Sequence, residues 1–275
     1  MSAKSYRGRP VPCQPLSKEA APRILLSLLV GVLLLFPLLA TAQAELTIGD
    51  AEAPSGAAVE VPFTLTRNLT QPATIVLRIA FPDDALDILD VQPTALLGST
   101  GHSLDYEVST PGELRIVMVG QGVMAEGILC RIYVRIAASA AVGSMLDLTD
   151  NGSNGSTPQG AVLNTVFVPG TVSVVALSGQ HTADQDGDWR ISLSELLRVI
   201  QFYNLDEYHC DAAGEDGYAP GPGDQSCATH DSDYNPANWT VSLTELLRLI
   251  QFFNILGGAY HPDANGEDSY APGAF

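Results

Sequence analysis

The sequence predicts a mainly β protein, an antiparallel β-sandwich or jelly roll followed by a pair of short loop–helix repeats. Two observations support this fold class. Residues 45–177 consist of short segments rich in Val, Ile, Leu and Thr, separated by clusters of Gly, Pro, Asn, Asp and Ser. Residues 184–275 contain two near-copies of a helix-period segment, ISLSELLRVIQFYN and VSLTELLRLIQFFN. An apolar stretch precedes both regions and belongs to neither.

That apolar stretch predicts a secretory signal peptide over residues 1–44. Five Lys and Arg side chains precede the apolar run ILLSLLVGVLLLFPLLA at 24–40, and small residues follow it. An uncleaved anchor helix is the alternative, because the run is at the lower limit of what crosses ~30 Å of hydrocarbon. We expect a secreted or cell-surface protein without membrane contact beyond this segment.

The remaining chain is strongly acidic. Residues 45–275 carry 8 Arg, no Lys and 30 Asp and Glu, a net charge of −22. Such a surface repels nucleic acid and anionic lipid, so neither is expected as a partner. It suits a protein that binds divalent cations, or one that is kept soluble outside a cell.

Strand-type segments extend across residues 45–177 and predict eight or nine strands. About 130 residues are enough for a two-sheet core. We expect NGSNGSTPQG at 151–160 to be a flexible loop, residues 178–183 to be a polar linker, and Cys130 to be a buried apolar residue. The clearest strand segments are VEVPFTLTR, TIVLRIAF, LDYEVS, ELRIVMV, GILCRIYVRI, AVLNTVFV and GTVSVV.

The predicted sandwich resembles the cohesin family, and more loosely the jelly-roll carbohydrate-binding modules. The resemblance rests on LTIGDAEAPSGAAVEVPFTL, IAFPDDALDILDVQP, GELRIVMVG, GILCRIYVRIAASAAVGSMLDL and GTVSVV in that order. It implies a domain that associates with another protein. The alternative is a carbohydrate-binding protein that uses the sandwich to hold a glycan, although both tryptophans lie outside this region.

The stretch DQDGDWRISLSE at 184–195 predicts a calcium-binding loop of the EF-hand type. Calcium takes six to eight oxygen ligands, and such a loop supplies them from positions 1, 3, 5, 7, 9 and 12. Acids near a helix N-terminus are also favoured by capping and by the helix dipole, but those effects need only one or two acids. The residues at the six positions are Asp184, Asp186, Asp188, Arg190 through its carbonyl, Ser192 and Glu195.

Two details of this loop qualify the match. Position 6 is Trp189, where such loops usually have glycine, and Gly187 at position 4 offers some of the missing flexibility. Ser192 and Glu195 also match a capping box for the following helix. Ile191 at position 8 is expected to make a short β-like contact with the paired loop.

The second loop, DSDYNPANWTVSLTE at 231–245, keeps the ligand types but changes their spacing. Counting back from the final glutamate places Pro236 at position 3, so we expect one or more inserted residues. We predict calcium here too, with the first ligand left open between two aspartates. The candidate ligands are Asp231, Asp233, Asn235, Asn238, Thr240 through its carbonyl, and Glu245.

Each loop leads into an amphipathic helix of about a dozen residues, which would be marginal alone in water. We therefore expect calcium and mutual packing of the two helices to stabilise them. The apolar residues predicted to form the shared core are Leu193, Leu196, Leu197, Ile200 and Phe202 or Tyr203 in the first helix, and Leu243, Leu246, Leu247, Ile250 and Phe253 in the second.

Tandem units of this kind resemble dockerins, the modules that dock onto cohesins in cellulosome-type assemblies. DQDGDWRISLSELLRVIQFYN supports the resemblance, whereas the YHxDAxGEDxYAPG tails lie outside the usual pattern. The resemblance implies a protein partner, a second copy of this chain included, on machinery that degrades extracellular polysaccharide. It also implies partner contacts at loop positions 10 and 11 and on the outer helix face: Leu193, Ser194, Arg198, Leu243, Thr244 and Arg248.

The tails are expected to be solvated acidic turns, with further calcium ligands as the alternative. Cys210 and Cys227 can form a disulfide in an exported protein, and two free thiols are the alternative. No catalytic constellation is apparent, because the acids of PDDALDILD at 82–90 lie in a turn that leads into a strand. We therefore expect a non-catalytic protein.

Overall fold

The computed structural model describes residues 44–68 and 70–275. The predicted signal peptide and its anchor alternative fall almost entirely on residues 1–43 and lie outside the described residues. In the described part of the chain, no helix is long and apolar enough to cross a membrane.

Residues 44–174 form two β-sheets that pack face to face. In chain order the elements are β1 (Ala44–Ile48), β2 (Ala51–Ala53), β3 (Ala58–Asn68), β4 (Thr74–Ala80), β5 (Leu86–Pro93), α1 (Ala95–Ser99), β6 (His102–Thr110), β7 (Glu113–Gly120), β8 (Gly127–Ile136), β9 (Met145–Asp150), β10 (Asn154–Ser156), β11 (Thr165–Val168) and β12 (Gly170–Val174). One sheet has the order β11-β1-β3-β8-β5. The other has the order β2-β12-β9-β4-β7-β6, with β10 paired to β4.

The predicted β-sandwich is confirmed, and its core follows the alternation of the strands. In β4 and β7 every second residue is buried, and these side chains fill the space between the sheets. The 151–160 segment, expected to be a flexible loop, contains strand β10. A short helix, α1, begins after the N-cap Thr94.

The sandwich is not purely antiparallel, because two of its strand pairs are parallel. β1 pairs with β11 in one sheet, and β2 pairs with β12 in the other. Each of these two chain segments therefore crosses from one sheet to the other, the first at Gly49–Asp50 and the second at Pro169. A Cβ at Gly49 would lie 2.6 Å from Cγ of Pro62, so the first crossing needs glycine.

After the sandwich the chain forms two similar repeats, here called the C-terminal module (residues 178–275). Each repeat consists of a loop, a twelve-residue helix and a two-stranded ribbon. Both helices begin with the full capping box, at Ser192 and Ser242. The elements are α2 (Leu193–Asn204), β13 (Tyr208–Cys210), β14 (Tyr218–Pro220), α3 (Leu243–Asn254), β15 (Tyr260–Pro262) and β16 (Tyr270–Pro272).

The core of the C-terminal module is mostly aromatic. His181 and His230 lie edge to face with ring centroids 5.9 Å apart, and both are almost completely buried. Phe202, Tyr208 and their counterparts in the second repeat surround them. Part of the 178–183 segment is thus built into this core.

The helix residues that are buried against the aromatic core differ from those predicted. Leu196, Val199 and Phe202 face inward, as do their counterparts in α3. The prediction that Leu193, Leu197, Leu243 and Leu247 are core residues is wrong, because they are 48–58% exposed.

Candidate metal centres

The first loop brings its three aspartates together. Oxygen atoms of Asp184, Asp186 and Asp188 all lie within 4.8 Å of one another. Asp184 is buried, Asp188 is half-buried and Asp186 is exposed. The cluster is therefore open to solvent on one side and enclosed by protein on the other.

Backbone hydrogen bonds hold the loop closed. The carboxylate of Asp184 accepts from the amides of Asp188 at 3.1 Å and Trp189 at 2.8 Å. The carboxylate of Glu195 accepts from the amides of Gln185 and Ser192, each at 2.7 Å. The residues at positions 1 and 12 thus bind the loop backbone at both ends.

Trp189 occupies the left-handed region with φ +59°, the conformation for which such loops usually use glycine. A non-glycine residue there costs of order 1–3 kcal/mol. Its indole is 1% exposed, and burial of an aromatic ring offsets that cost. Gly187 also has a positive φ, +70°. The loop therefore reaches the required turn in spite of its unusual position 6.

Burial and neighbouring negative charges disfavour the ionised forms of two aspartates in the first loop. Burial raises the pKa of Asp184 to about 6, and the charge of Glu195 adds to this. Burial also raises the pKa of Asp188 to about 6, together with the charges of Asp186 and Asp184. The guanidinium of Arg190 lies 3.6 Å from Asp188 and offsets only part of this repulsion.

The donor set fits a hard divalent cation. All the predicted ligand atoms are oxygens, as calcium prefers. Ser192 shares a 2.9 Å hydrogen bond with Ser194 at the exposed start of α2. A cation at the three aspartates would offset both their mutual repulsion and the cost of burying the charged carboxylate of Asp184.

In the second loop the structure identifies the counterpart of Asp184 as Asp233. Its carboxylate is buried and accepts from the amides of Asn238 at 3.0 Å and Trp239 at 2.7 Å. Glu245 accepts from the amides of Asn235 at 2.8 Å and Ser242 at 2.8 Å. The network repeats that of the first loop with one extra residue, as the spacing predicted.

The other candidates in the second loop separate into two groups. Asn235 and Asn238 are exposed near the loop turn, and Oδ1 of Asn238 accepts from the amide of Thr240 at 3.1 Å. Asp231 lies elsewhere, because its carboxylate accepts from the amide of Thr182 at 2.8 Å. Asp231 therefore joins the two repeats and does not contribute to the hydrogen-bond network of the second loop.

Each loop is completed by a tyrosine of the other repeat. The hydroxyl of Tyr260 donates to Asp184 at 2.6 Å, and the hydroxyl of Tyr208 donates to Asp233 at 2.7 Å. Both tyrosines are fully buried. These two tyrosines were not predicted as part of the sites, although the repeated YH dipeptide that begins each tail was a signal for them.

The β-like contact predicted for Ile191 occurs, but with a different element. The amide of Ile191 donates to the carbonyl of Gly258 at 2.9 Å, in the segment after α3, and not to the second loop. Arg190 and Ala259 form an antiparallel bridge beside it. The first loop is therefore paired with the chain that leads to Tyr260.

The predicted partner-binding residues divide by exposure. Leu193, Ser194, Leu243 and Thr244 are exposed at the starts of the two helices. The guanidinium groups of Arg198 and Arg248 are only 14% exposed and pair with Asp216 and Asp268 at 3.4 and 3.3 Å.

The tails are therefore not simple solvated turns, because each uses one buried aspartate to hold a helix arginine. The side chains of Asp216 and Asp268 are 0% and 1% exposed. Cys210 and Cys227 form a disulfide with a Cα–Cα distance of 6.0 Å. Cys130 is free and buried in the sandwich.

No protein-family model and no curated protein sequence matches this chain. Among solved structures, the chain is similar to the sixth cohesin of scaffoldin B from Acetivibrio cellulolyticus, in complex with a Cel5 dockerin mutant. The two share 16% identity and a TM-score of 0.43 over 48% of this chain and 99% of that one.

It is likewise similar to a non-cellulosomal cohesin from Archaeoglobus fulgidus, with 22% identity and a TM-score of 0.43 over 49% and 93% of the two chains. A cohesin–dockerin complex from Clostridium thermocellum gives 19% identity and a TM-score of 0.42 over 49% and 95%. TM-scores below 0.5 assign this chain to no family.

Proposed function

We propose that the chain is an exported, non-catalytic assembly protein whose C-terminal module binds two calcium ions. The observation that supports this most directly is the convergence of Asp184, Asp186 and Asp188 within 4.8 Å in a loop that ends at a capping glutamate. In the first site we assign the ligands to these three aspartates, the Arg190 carbonyl, Ser192 and Glu195. In the second we assign Asp233, Asn235, Asn238, the Thr240 carbonyl and Glu245.

Calcium would order the loops and thereby present the two helix starts to a partner. Leu193 and Leu243 occupy equivalent positions and are 58% and 56% exposed, so both apolar side chains are accessible to a partner. We propose that they contact a β-sandwich of the cohesin type, in another copy of this chain or in a second protein.

Calcium binding is tested by titration calorimetry on the chain from residue 45 onward. Glu195→Gln should weaken binding strongly, because it removes one oxygen from a bidentate ligand. Glu215→Gln is the matched control, since Glu215 is an exposed acid in the tail. Equal effects of the two substitutions would contradict the assigned loop.

Chelation provides a second test of the same proposal. A ligand that binds only the folded loops stabilises them, so excess chelator should lower the melting temperature and the helical circular dichroism signal. Unchanged melting and helicity would show that the loops fold without metal.

The partner surface is tested by sedimentation velocity in calcium. Self-association that is lost in Leu193→Asp combined with Leu243→Asp, and retained in Leu205→Asp, would identify a second copy as the partner. Leu205 is a suitable control because it is 57% exposed at the other end of α2. A monomer in all variants would leave a different protein as the partner.

A further inference from the structure

The sandwich and the C-terminal module make direct contact beside the first loop. A Cβ at Gly56, in the turn before β3, would lie 2.7 Å from the carbonyl oxygen of Asp188. Gly56 also has φ +85°, which favours glycine. The sandwich turn therefore packs against the backbone of a proposed calcium ligand.

Phe275 makes two further contacts in the same region. Phe275 pairs with β3, since its amide donates to Ala58 at 2.9 Å and its carbonyl accepts from Glu60 at 3.1 Å. The ring of Phe275 packs edge to face on Trp189 at 5.3 Å. The residue at position 6 of the first loop is thus packed on a residue that is paired with the sandwich.

Two arginines add another contact by donating hydrogen bonds to adjacent backbone carbonyl groups. Arg135 of β8 donates to Leu256 at 3.0 Å, and Arg190 of the first loop donates to Gly257 at 3.0 Å. Arg190 also lies 3.6 Å from Asp188. The segment after α3 therefore bridges the sandwich and the first loop.

Among the described residues, the second loop lacks these contacts with the Gly56 turn, Phe275 and Arg135. Asn238, the counterpart of Asp188, is exposed, whereas Asp188 is half-buried. Trp239 packs on Tyr208 within the module, at 5.1 Å. The two loops are similar in sequence and local geometry, but in the described part of the chain it is the first loop that packs against the Gly56 turn of the sandwich.

Resting on the proposed calcium function, we infer that the sandwich is part of the framework of the first calcium site and is not part of the second. Calcium in the first loop and docking of the module onto the sandwich then stabilise each other, because coupling between two binding equilibria is reciprocal. The partner of this module face is the chain's own sandwich, which leaves the helix starts free for another protein.

The test is a calcium titration of the chain from residue 45 onward in two backgrounds. Glu245→Gln reports the first site, and Glu195→Gln reports the second. Gly56→Ala should weaken the first site by about tenfold or more, as loss of a supporting contact around metal ligands does. It should change the second site by less than about twofold.

Gly143→Ala is the matched control for backbone strain. Gly143 has φ +87°, close to that of Gly56, but a Cβ there meets no atom within 4 Å. Equal weakening of the first site by both alanine variants, or equal weakening of both sites by Gly56→Ala, would overturn the inference. If the parent chain binds calcium, either result leaves the proposed function standing.

A second pair of variants covers the case in which Gly56→Ala does not fold. Arg135→Ala removes the hydrogen bond to Leu256, and Arg78→Ala removes an arginine from the opposite sheet, where it pairs with Glu113. Only Arg135→Ala should weaken the first site selectively. A parent chain that binds no calcium would overturn both this inference and the proposed function.

Hydrogen exchange gives the reciprocal readout. The amide of Glu60 donates to Phe275, so its exchange reports docking directly. Calcium should slow this exchange in the parent and in Glu245→Gln, and should have no effect in Glu195→Gln. If calcium slows this exchange in Glu195→Gln and not in Glu245→Gln, the coupling between the first site and docking is refuted.

Discussion

Replacing Tyr260 by phenylalanine tests how far one repeat completes the proposed calcium loop of the other. The Tyr260 hydroxyl donates to Asp184 at 2.6 Å and accepts from the amide of His181 at 3.0 Å. Both neighbours are buried, and the substitution removes one oxygen without creating a ring-sized cavity. The change therefore isolates the hydroxyl.

The expected loss of stability follows from these two bonds. A hydrogen bond to a charged group contributes about 1.5–3 kcal/mol, and a buried amide left unpaired costs about 1–3 kcal/mol. We expect a total near the lower end of that sum, about 3 kcal/mol. For a domain of this size, each kcal/mol lowers the melting temperature by about 2–4 °C, so the shift should be about 6–12 °C.

Calcium binding should weaken as well. The Tyr260 hydrogen bond lowers the pKa of Asp184, so its loss raises that pKa further and leaves less carboxylate at neutral pH. Loss of a supporting partner of a metal ligand typically costs about 10–100-fold in affinity.

Thermal unfolding and calorimetry measure the two effects. Tyr106→Phe is the matched control. The Tyr106 hydroxyl also donates to an aspartate, Asp90, but Tyr106 lies in the sandwich and is 37% exposed. If Tyr260→Phe behaves like Tyr106→Phe in both assays, the cross-repeat hydrogen bond does not support the loop.

Two further predictions follow from the charges. The metal-free pKa values of about 6 at Asp184 and Asp188 lie above the ordinary 3.8, so the unfolded state ionises first. In excess chelator, the free energy of unfolding should therefore fall as pH rises from about 4 to 6. The slope should be smaller in Asp188→Asn, because this variant has one of the two carboxylates fewer. Calcium affinity should rise over the same range as protons leave. Separately, Arg248→Ala should destabilise the protein by about 3–5 kcal/mol in denaturant titrations, since it leaves Asp268 buried without its partner. Arg78→Ala breaks a more exposed pair and should cost no more than about 1 kcal/mol.

Much of the sandwich was predictable because strand alternation is a local property. The buried residues of β4 and β7 are those that the two-residue period selects. The parallel pairs were not predictable in the same way, because the pairing of β1 with β11 joins residues about 120 positions apart.

The first loop was predictable for a similar reason. Its aspartates, its glutamate and its capping box lie within twelve residues, and their spacing limits the geometry. In the second loop the inserted residue left Asp231 and Asp233 open as the first ligand. The backbone hydrogen bonds separate them, since Asp233 holds its own loop and Asp231 holds Thr182.

The sequence by itself determined the local patterns: the strands, the two capped helices, and the side-chain oxygens at fixed spacing along one loop. Only the tertiary structure decided that Tyr260 completes the loop of Asp184, 76 residues away, and that Arg135 reaches Leu256 across 121 residues. Periodicity and spacing report on neighbours in the chain, whereas these contacts depend on how separate elements pack. For the same reason, two loops that are similar in sequence differ in their surroundings, because in the described part of the chain the first loop packs against the Gly56 turn of the sandwich.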